Sequence, residues 1–299
     1  MASHKFDSTQ TAGIRAVVRP DPVQVIAVTG GKGGVGKTSV AVNLAAAEAA
    51  RGKRVLLLDG DLGLANVDVL LGLTPRFTLE HVLDGRCTLE EAILTAPQAT
   101  NQGFRVIPAA SGISRLADLS TAEHLGLVQA FSNLTSGLDV LIVDTAAGIS
   151  NSVRQFCQAS QHVLLVVRDE PASLTDAYAL VKVLSREHRM MRFHVLANMV
   201  QRPGDGELLF RKLERVTSRF LDVVVDYAGE IPEDGYVRNA IREQRTLMDA
   251  YPSSPAARAF KKLALAADKW PTAASPRGNL EFFVERLVGN ATPRLEATR

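Results

Sequence analysis

A glycine-rich segment between an apolar run and an alanine-rich helical pattern constrains this chain most. Residues 31–38 (GKGGVGKT) fit G-x-x-x-x-G-K-[ST], the pattern of a loop whose backbone N–H groups surround phosphates. A strand predicted at residues 23–29 precedes it and a helix predicted at residues 38–50 follows, as such a loop requires. The residues predicted to bind nucleotide here are Gly31, Lys32, Gly33, Gly34, Val35, Gly36, Lys37, Thr38 and Ser39.

The same residues allow two other interpretations. Gly31, Gly33 and Gly36 also fit the dinucleotide pattern G-x-G-x-x-G, with Asp59 far enough along the chain to meet a ribose hydroxyl. A purely structural glycine turn is the remaining alternative. Lys37 and Thr38 favour the phosphate loop, because the lysine can reach the β- and γ-phosphates and the threonine hydroxyl can bind Mg²⁺. ATP and Mg²⁺ are therefore the predicted ligands.

Apolar runs alternate with helical patterns along the rest of the chain. Strands are predicted at residues 54–59, 104–107, 140–144, 163–168 and 195–198, and helices include 173–187, 207–220 and 256–270. Strands that are apolar on both faces and separated by helices indicate an α/β fold, with a doubly wound, mostly parallel sheet and helices on both faces. We expect a flexible arm at residues 1–22, an ATPase domain at 23–270 and an amphipathic C-terminal helix with a tail at 271–299.

Composition argues against several other classes of protein. The 299 residues are 46% hydrophobic and 22% charged, and the formal net charge of +2 gives no general case for nucleic-acid binding. Two distant cysteines and six scattered histidines form neither a disulfide framework nor a zinc motif. A polar N-terminus and the lack of a long apolar run predict no signal peptide and no membrane span, and hence a cytoplasmic protein.

Carboxylates end two of the predicted strands. Asp144 ends an apolar strand and is predicted to support Mg²⁺ together with Asp59 and Thr38, because Mg²⁺ keeps most of its water and takes few protein ligands. Asp61 lies two residues after Asp59 and is predicted to orient the attacking water. Capping of a turn or helix is the alternative role for these carboxylates.

Four more residues are candidates for contacts beyond the phosphate loop's core. Asn198 ends a strand, where its amide could meet the adenine edge or cap a turn. Pro232 and Asp234 could line the base from the far side. Lys32 is a second lysine that a phosphate loop does not need, so it is either a solvated surface side chain or a charge directed at a nucleotide on a second subunit.

Three motifs, in order, resemble those of the MinD/ParA ATPases. Residues 32–38 resemble their deviant Walker A loop, residues 59–68 their switch I, and residues 144–148 their Walker B and switch II. The segments 61–73, 169–179 and 276–287 are similar to the branch of flagellar-number regulators called FlhG or FleN. The resemblance covers about residues 23–250 and implies the P-loop NTPase fold of the SIMIBI, MinD-like class.

The resemblance implies a Mg-dependent, slow, switch-type ATP hydrolase that regulates flagellar number or placement. Lys32 would reach across an ATP-bridged homodimer to the partner's phosphates, and Lys37 would contact the phosphates of its own chain. Asp61 would position the hydrolytic water and Asp144 would support Mg²⁺. Asn198 stands where relatives contact adenine. Of these residues, the resemblance assigns catalysis to Asp61, Lys32 and Lys37.

Protein partners are also implied by the resemblance. They are a FleQ-like transcription activator and an FlhF-like GTPase, with no direct nucleic-acid partner. Relatives activate that GTPase through an N-terminal D-Q-A-x-x-L-R segment. In residues 9–15 of this chain Gln10 and Arg15 match, Ile14 replaces leucine, and two positions differ.

Relatives also bind membrane through a C-terminal amphipathic helix. The helix predicted at residues 279–288 has an apolar stripe, but its polar face carries Glu281 and Glu285, whereas interfacial helices favour lysine and arginine there. Peripheral contact at the inner membrane or cell pole and docking onto protein therefore both stay open. A MinD-like division-site ATPase and a ParA-like segregation ATPase are the alternative functions.

Overall fold

The computed structural model describes residues 23–96, 103–109, 120–132, 134, 137–271 and 282. Within these residues the strands are β1 (Gln24–Thr29), β2 (Val55–Gly60), β3 (Leu94–Thr95), β4 (Arg105–Ile107), β5 (Val140–Thr145), β6 (His162–Val167), β7 (Arg192–Val200) and β8 (Val224–Pro232). The helices are α1 (Lys37–Ala49), α2 (Val67–Leu71), α3 (Leu79–Leu83), α4 (Leu89–Ala92), α5 (Thr121–Ser132), α6 (Asn151–Ala159), α7 (Pro171–His188), α8 (Asp205–Phe220), α9 (Gly235–Arg242), α10 (Leu247–Ala250) and α11 (Pro255–Ala267).

All eight strands belong to one sheet, in the order β3-β4-β2-β5-β1-β6-β7-β8. Only the short β3 is antiparallel to its neighbour, and every other pair is parallel. The prediction of a doubly wound, mostly parallel α/β fold is confirmed. The order also makes β2, β5 and β1 neighbours, so their carboxyl ends meet at the middle of one edge, where such sheets bind ligands.

Helices cover both faces of this sheet. One face packs against α1 and α11, in a cluster that includes Leu44 and Phe260. The other face packs against α5 to α8, in two clusters that include Phe131, Phe156 and Leu184. β2, β5 and β6 are buried along their whole length and β1 from its second residue onward, because helices exclude water from both sides. This rigid core holds the ends of β1, β2 and β5 in fixed register.

The predicted arm and C-terminal helix lie outside the described residues, except for residue 282. Phe282 is fully buried, its backbone N–H donates to the Ala159 carbonyl at 3.0 Å, and its ring lies edge-on to Phe131 with the centroids 5.0 Å apart. The chain beyond residue 271 therefore contacts the domain at this point. Among the described helices, none is long and apolar enough to cross a membrane.

Candidate nucleotide-binding site

The glycine-rich loop joins β1 to α1, and several of its glycines cannot be replaced by another residue without a clash. At Gly31 a Cβ atom would lie 2.2 Å from the carbonyl carbon of Asp176. At Gly36, which caps the N-terminus of α1 with φ +91°, a Cβ would lie 2.4 Å from Asn198 Nδ2. A left-handed φ of this size also strongly favours glycine. The loop thus passes close to two neighbouring elements, and its backbone leads into the helix N-terminus.

A buried charge cluster lies directly beneath this loop. The Lys37 side chain lies near the carboxylates of Asp144 and Asp61, and burial lowers the pKa of its ammonium while these two carboxylates oppose the shift. Asp144 is 1% exposed, and the Thr38 hydroxyl donates a hydrogen bond to its carboxylate. Burial and the Asp59 carboxylate raise the pKa of Asp144 well above its usual range.

One oxygen of this cluster is left without a partner. Asp144 Oδ1 is buried and has no hydrogen-bond donor among the described residues. A buried, unpaired carboxylate oxygen is costly unless a cation or ordered water meets it. Together with the Thr38 hydroxyl this donor set fits Mg²⁺, which accepts oxygen ligands and retains several waters. No cluster of three or more histidine, cysteine or acidic side chains suited to a metal occurs in the described residues.

Asp59 lies next to Asp144 in the parallel register of β2 and β5. The residue is only 1% exposed. Its carboxylate accepts hydrogen bonds from three backbone N–H groups, those of Asp61 at 3.1 Å, Asn66 at 3.1 Å and Val67 at 3.2 Å. Burial raises the pKa of Asp59 to about 7, and these three hydrogen bonds oppose the rise. The capping role considered for the carboxylates is therefore realised at Asp59, which fastens the start of switch I to the sheet. Its predicted contact with the metal shell stays a prediction.

Switch I follows as a short segment that is partly anchored in the core, because Leu62, Ala65 and Val67 are buried. Asp61 Oδ1 accepts the Leu64 N–H at 3.1 Å, which closes a local turn, while the Leu64 side chain is 71% exposed. Gly60 brings the backbone close to β5, because a Cβ there would lie 2.8 Å from the Asp144 carbonyl oxygen. Asp61 thus lies near Lys37 and Asp144, at the start of a segment whose residues are alternately buried and exposed.

Switch II begins where β5 ends. The Thr145 hydroxyl lies 2.9 Å from Thr29 Oγ1 and 3.2 Å from the Val28 carbonyl oxygen, which fastens the end of β5 to β1. The Gly148 N–H then donates to the Gly30 carbonyl at 3.2 Å. The loop after β5 is therefore hydrogen-bonded to the start of the glycine-rich loop.

The predicted base-binding residues lie on the other side of the loop. The Asn198 side-chain nitrogen donates to the Val35 carbonyl at 2.8 Å, so it fastens the end of β7 to the glycine-rich loop. Asp234 caps α9 by accepting the Tyr236 N–H at 2.9 Å, and its second oxygen accepts the Ala256 N–H at 3.0 Å. Pro232 ends β8 beside Val200 of β7. Their contacts with a base stay predictions, because these hydrogen bonds are structural.

Lys32 points away from the buried cluster. Its ammonium forms an ion pair with Glu170 at 2.9 Å, and Arg168 lies 3.2 Å from the other oxygen of the same carboxylate. Lys32 and Arg168 lower the pKa of the Glu170 carboxyl through this pairing. The Lys32 side chain remains 41% exposed. It is therefore neither a freely solvated side chain nor a part of its own chain's phosphate cluster.

The structure brings the loop residues together with Asp59, Asp61 and Asp144, and it places Asn198 against the loop from the opposite side. Two residues at this edge, Thr145 and Glu170, were not among the predicted site residues, although Thr145 lies within the segment 144–148 that resembles switch II. Thr145 could have been found from its position at the end of an apolar strand next to Asp144. Glu170 follows the end of β6 by three residues and carries no motif of its own, so only the fold pairs it with Lys32.

The comparisons with known proteins agree with this geometry. The sequence profile of a family described as an AAA domain matches residues 23–197. The chain is 60% identical to the antiactivator FleN of Pseudomonas aeruginosa over 267 residues, which cover 89% of this chain and 94% of FleN. It is 33% identical to the flagellum site-determining protein YlxH of Helicobacter pylori over 267 residues, covering 88% and 89% of the two chains.

A solved structure shares the fold. The septum site-determining protein MinD of Pyrococcus horikoshii, complexed with Mg-ADP, superimposes with a TM-score of 0.66 at 27% identity, and the match covers 83% of this chain and 97% of that one. The matched profile extends over more than half of the chain and includes the glycine-rich loop and both acidic strand ends, and the FleN alignment covers 89% of the chain. The chain therefore belongs to the MinD/ParA-type family of nucleotide-binding P-loop ATPases.

Proposed function

We propose that this chain is a Mg-ATP-dependent molecular switch that dimerises with ATP bound and limits flagellar number by binding other proteins in one nucleotide state. The observation that carries the proposal is the buried cluster of Lys37, Thr38 and Asp144, with one unpaired carboxylate oxygen at the end of the glycine-rich loop. Relatives named FleN and YlxH support the flagellar role, since both align with nearly the full chain.

In this proposal the cluster binds Mg-ATP as follows. Lys37 contacts the β- and γ-phosphates, and Thr38 and Asp144 hold the metal, Thr38 directly and Asp144 through water. Bound Mg²⁺ would neutralise charge on the phosphate oxygens. Binding also gives the unpaired Asp144 oxygen a hydrogen-bond partner, in the form of a water molecule of the metal. Asp59 supports this arrangement by holding switch I and Asp144 in register.

Asp61 is proposed to orient the water that attacks the γ-phosphorus. It lies at the open side of the cluster, and its segment is fastened to the sheet mainly through Asp59. The exposed part of this segment around Leu64 can adopt another position when a γ-phosphate is present. This would couple hydrolysis to the exposed surface around Leu64, which is available to partners.

Lys32 is proposed to contact the phosphates of a second copy of the chain. It must first leave Glu170, but an exposed ion pair of this kind contributes little to stability because solvent screens it. ATP bridging two chains would outweigh that cost, because a ligand that binds only the dimer stabilises it by mass action. The base would lie between Asn198 and the β8–α9 loop. The Asn198 side-chain oxygen has no hydrogen bond among the described residues and could accept from an adenine amino group.

The proposed partners are a FleQ-type transcription activator and an FlhF-type GTPase, the latter bound through the segment that contains Gln10. That segment lies outside the described residues, so its support is sequence similarity alone. The same holds for peripheral contact with the inner membrane or cell pole through the C-terminal segment.

Two variants test the switch, measured by light scattering after gel filtration and by phosphate release. We expect Lys32→Ala to bind Mg-ATP and stay monomeric, while Asp61→Ala dimerises with ATP and loses hydrolysis by about 10²-fold or more. Lys269→Ala, which removes an exposed lysine far from the loop, serves as the control and should behave as the unchanged chain. A Lys32→Ala protein that still dimerises with ATP, or an Asp61→Ala protein with normal turnover, would refute the mechanism.

A further inference from the structure

A second cavity lies at the outer edge of the sheet, distinct from the phosphate loop. Its volume is about 630 Å³, and it is bordered by helices α8 and α11 and by the loop after β7. Six successive residues of β8 also line it: Tyr227, Ala228, Gly229, Glu230, Ile231 and Pro232. Successive side chains of a strand point to opposite faces, so six in a row can border one cavity only if it runs along the strand's edge.

That edge has no strand partner within the described residues. β8 is the last strand in the sheet order and pairs only with β7. The pairing is irregular at residues 195–196 of β7, opposite Gly229, whose φ is +128°. No atom lies within 4 Å of the position that a Gly229 Cβ would take. The side-chain space at Gly229 is therefore open, and the strand edge that has no partner can hydrogen-bond to another extended chain.

The walls of this groove are positively charged. Arg202, Arg258 and Lys262 line it, and none of them has a carboxylate partner in the part of the chain that the structure describes. The groove's two acidic residues are already engaged. Glu230 accepts the N–H groups of residues 204 and 206 at 3.1 Å each, and Glu207 pairs with Arg211 at 2.6 Å. Amide donors orient the Glu230 carboxylate without cancelling its charge, so three basic side chains face one uncompensated carboxylate and the groove is basic overall.

We propose that this groove binds an extended acidic segment of a partner protein, which adds a strand along β8. Its backbone would pair with the open edge, and its carboxylates would meet Arg202, Arg258 and Lys262. The chain's own ends do not fit this description. Residues 1–22 hold three basic and two acidic residues, and residues 272–299 hold four basic and three acidic ones. The strand edge and apolar residues such as Val200 and Leu263 favour a peptide over nucleic acid.

Fluorescence anisotropy of the full-length, nucleotide-free protein tests the proposal, with a labelled peptide of alternating glutamate and valine as the probe. The unchanged chain should bind it saturably. Arg258→Glu/Lys262→Glu should weaken binding by about tenfold or more, because charge reversal replaces attraction with repulsion. Lys261→Glu/Lys269→Glu makes the same change of net charge on exposed residues of the same region that do not line the groove, and it should change binding by less than about twofold.

A second peptide separates strand pairing from simple charge attraction. The same sequence N-methylated at every amide cannot donate along either edge, so its binding should be lost, and only the first peptide should slow hydrogen exchange in residues 224–232. Arg258→Gln/Lys262→Gln replaces the first variant if charge reversal impairs folding, and a smaller loss is then expected. The proposal is overturned if the probe fails to bind saturably, if both double variants lose binding equally, if N-methylation has no effect, or if duplex DNA binds the groove instead.

Discussion

Close contacts with neighbouring elements restrict which residue types fit in the phosphate loop. Asn198 Nδ2 holds the Val35 carbonyl at 2.8 Å, and this is possible only because Gly36 has no side chain in the way. Sequence motifs gave the glycine but not its reason, since Asn198 is far along the chain and comes close only in the fold. The same is true of Lys32 and Glu170, whose ion pair joins the loop to the end of β6.

Alanine substitutions at two glycines of the loop separate backbone strain from steric clash. Gly34 and Gly36 both have positive φ, +79° and +91°, but only at Gly36 would a Cβ collide, 2.4 Å from Asn198 Nδ2. We expect Gly36→Ala to lower the free energy of unfolding of the nucleotide-free protein by about 1–3 kcal/mol more than Gly34→Ala. Urea denaturation measures the difference, and equal losses would show that the Asn198 contact does not restrict this position.

Stability should depend on pH through His194. This residue is 2% exposed and stacks on Trp270 with ring centroids 3.9 Å apart, near His162 and the Arg192–Asp226 ion pair. Burial, and secondarily Arg192, lowers its pKa from 6.5 to about 4. Because the folded state disfavours the charged form, this contribution is present above pH 6.5 and is lost as the pH falls through about 4.

Replacing His194 with phenylalanine keeps a ring on Trp270 and removes the titration. Between pH 7 and pH 5 we expect the unchanged chain to lose about 2 kcal/mol of its free energy of unfolding through this residue. The loss in the His194→Phe variant should be smaller by that amount. Thermal unfolding at both pH values measures it, and parallel losses in the two proteins would argue that His194 is not the group responsible.

Among the secondary-structure elements, the buried central strands are predicted from the sequence more accurately than the strand at the sheet edge. Runs that are apolar on both faces, such as β1, β2 and β5, were predicted within about one residue, because burial on both sides confines polar residues to the strand ends. β8 was missed. It lies at the sheet edge, and its residues are partly exposed, so polar side chains such as Asp226 and Glu230 interrupt the apolar pattern. The charged cavity along its edge could not be predicted for the same reason.

Some features of the candidate site were likewise predictable from the sequence, and others depend on the fold. The loop and the acidic strand ends were found from the sequence, because they lie in short motifs next to strands. The order of the strands was not, although it decides which ends become neighbours and pairs Asp59 with Asp144. The three amide hydrogen bonds that Asp59 accepts likewise depend on the path of switch I, which no local pattern describes.

One carboxylate joins two helices near the proposed base site. Asp234 caps α9 and also accepts the Ala256 N–H at the start of α11, whereas Ser254 caps α11 alone through the Ala257 N–H. Each lost cap costs about 1 kcal/mol, so we expect Asp234→Ala to destabilise the protein about twice as much as Ser254→Ala. Urea midpoints of the two variants test this, and equal midpoints would show that the Asp234 contact with α11 contributes nothing.

In the described residues, a buried sheet forms the centre of the molecule and the surfaces proposed for contacts lie at its edges. The buried core fixes the phosphate cluster, while the exposed parts are switch I, the Lys32 ion pair and the open edge of β8. Such an arrangement suits a switch, since a nucleotide bound at the core can change the rim without disturbing the fold. Membership of the MinD/ParA-type family and 60% identity to FleN are consistent with a nucleotide site in the core and contact surfaces at the edges.

Calorimetric titration of Mg-ATP into the nucleotide-free protein tests the central claim most directly. We predict saturable binding of one nucleotide per chain, and no measurable heat from a folded Lys37→Ala variant, because that ammonium lies within the buried cluster beneath the loop. A well-folded, unchanged chain that gives no heat with Mg-ATP, or a Lys37→Ala variant that binds it equally well, would contradict the account.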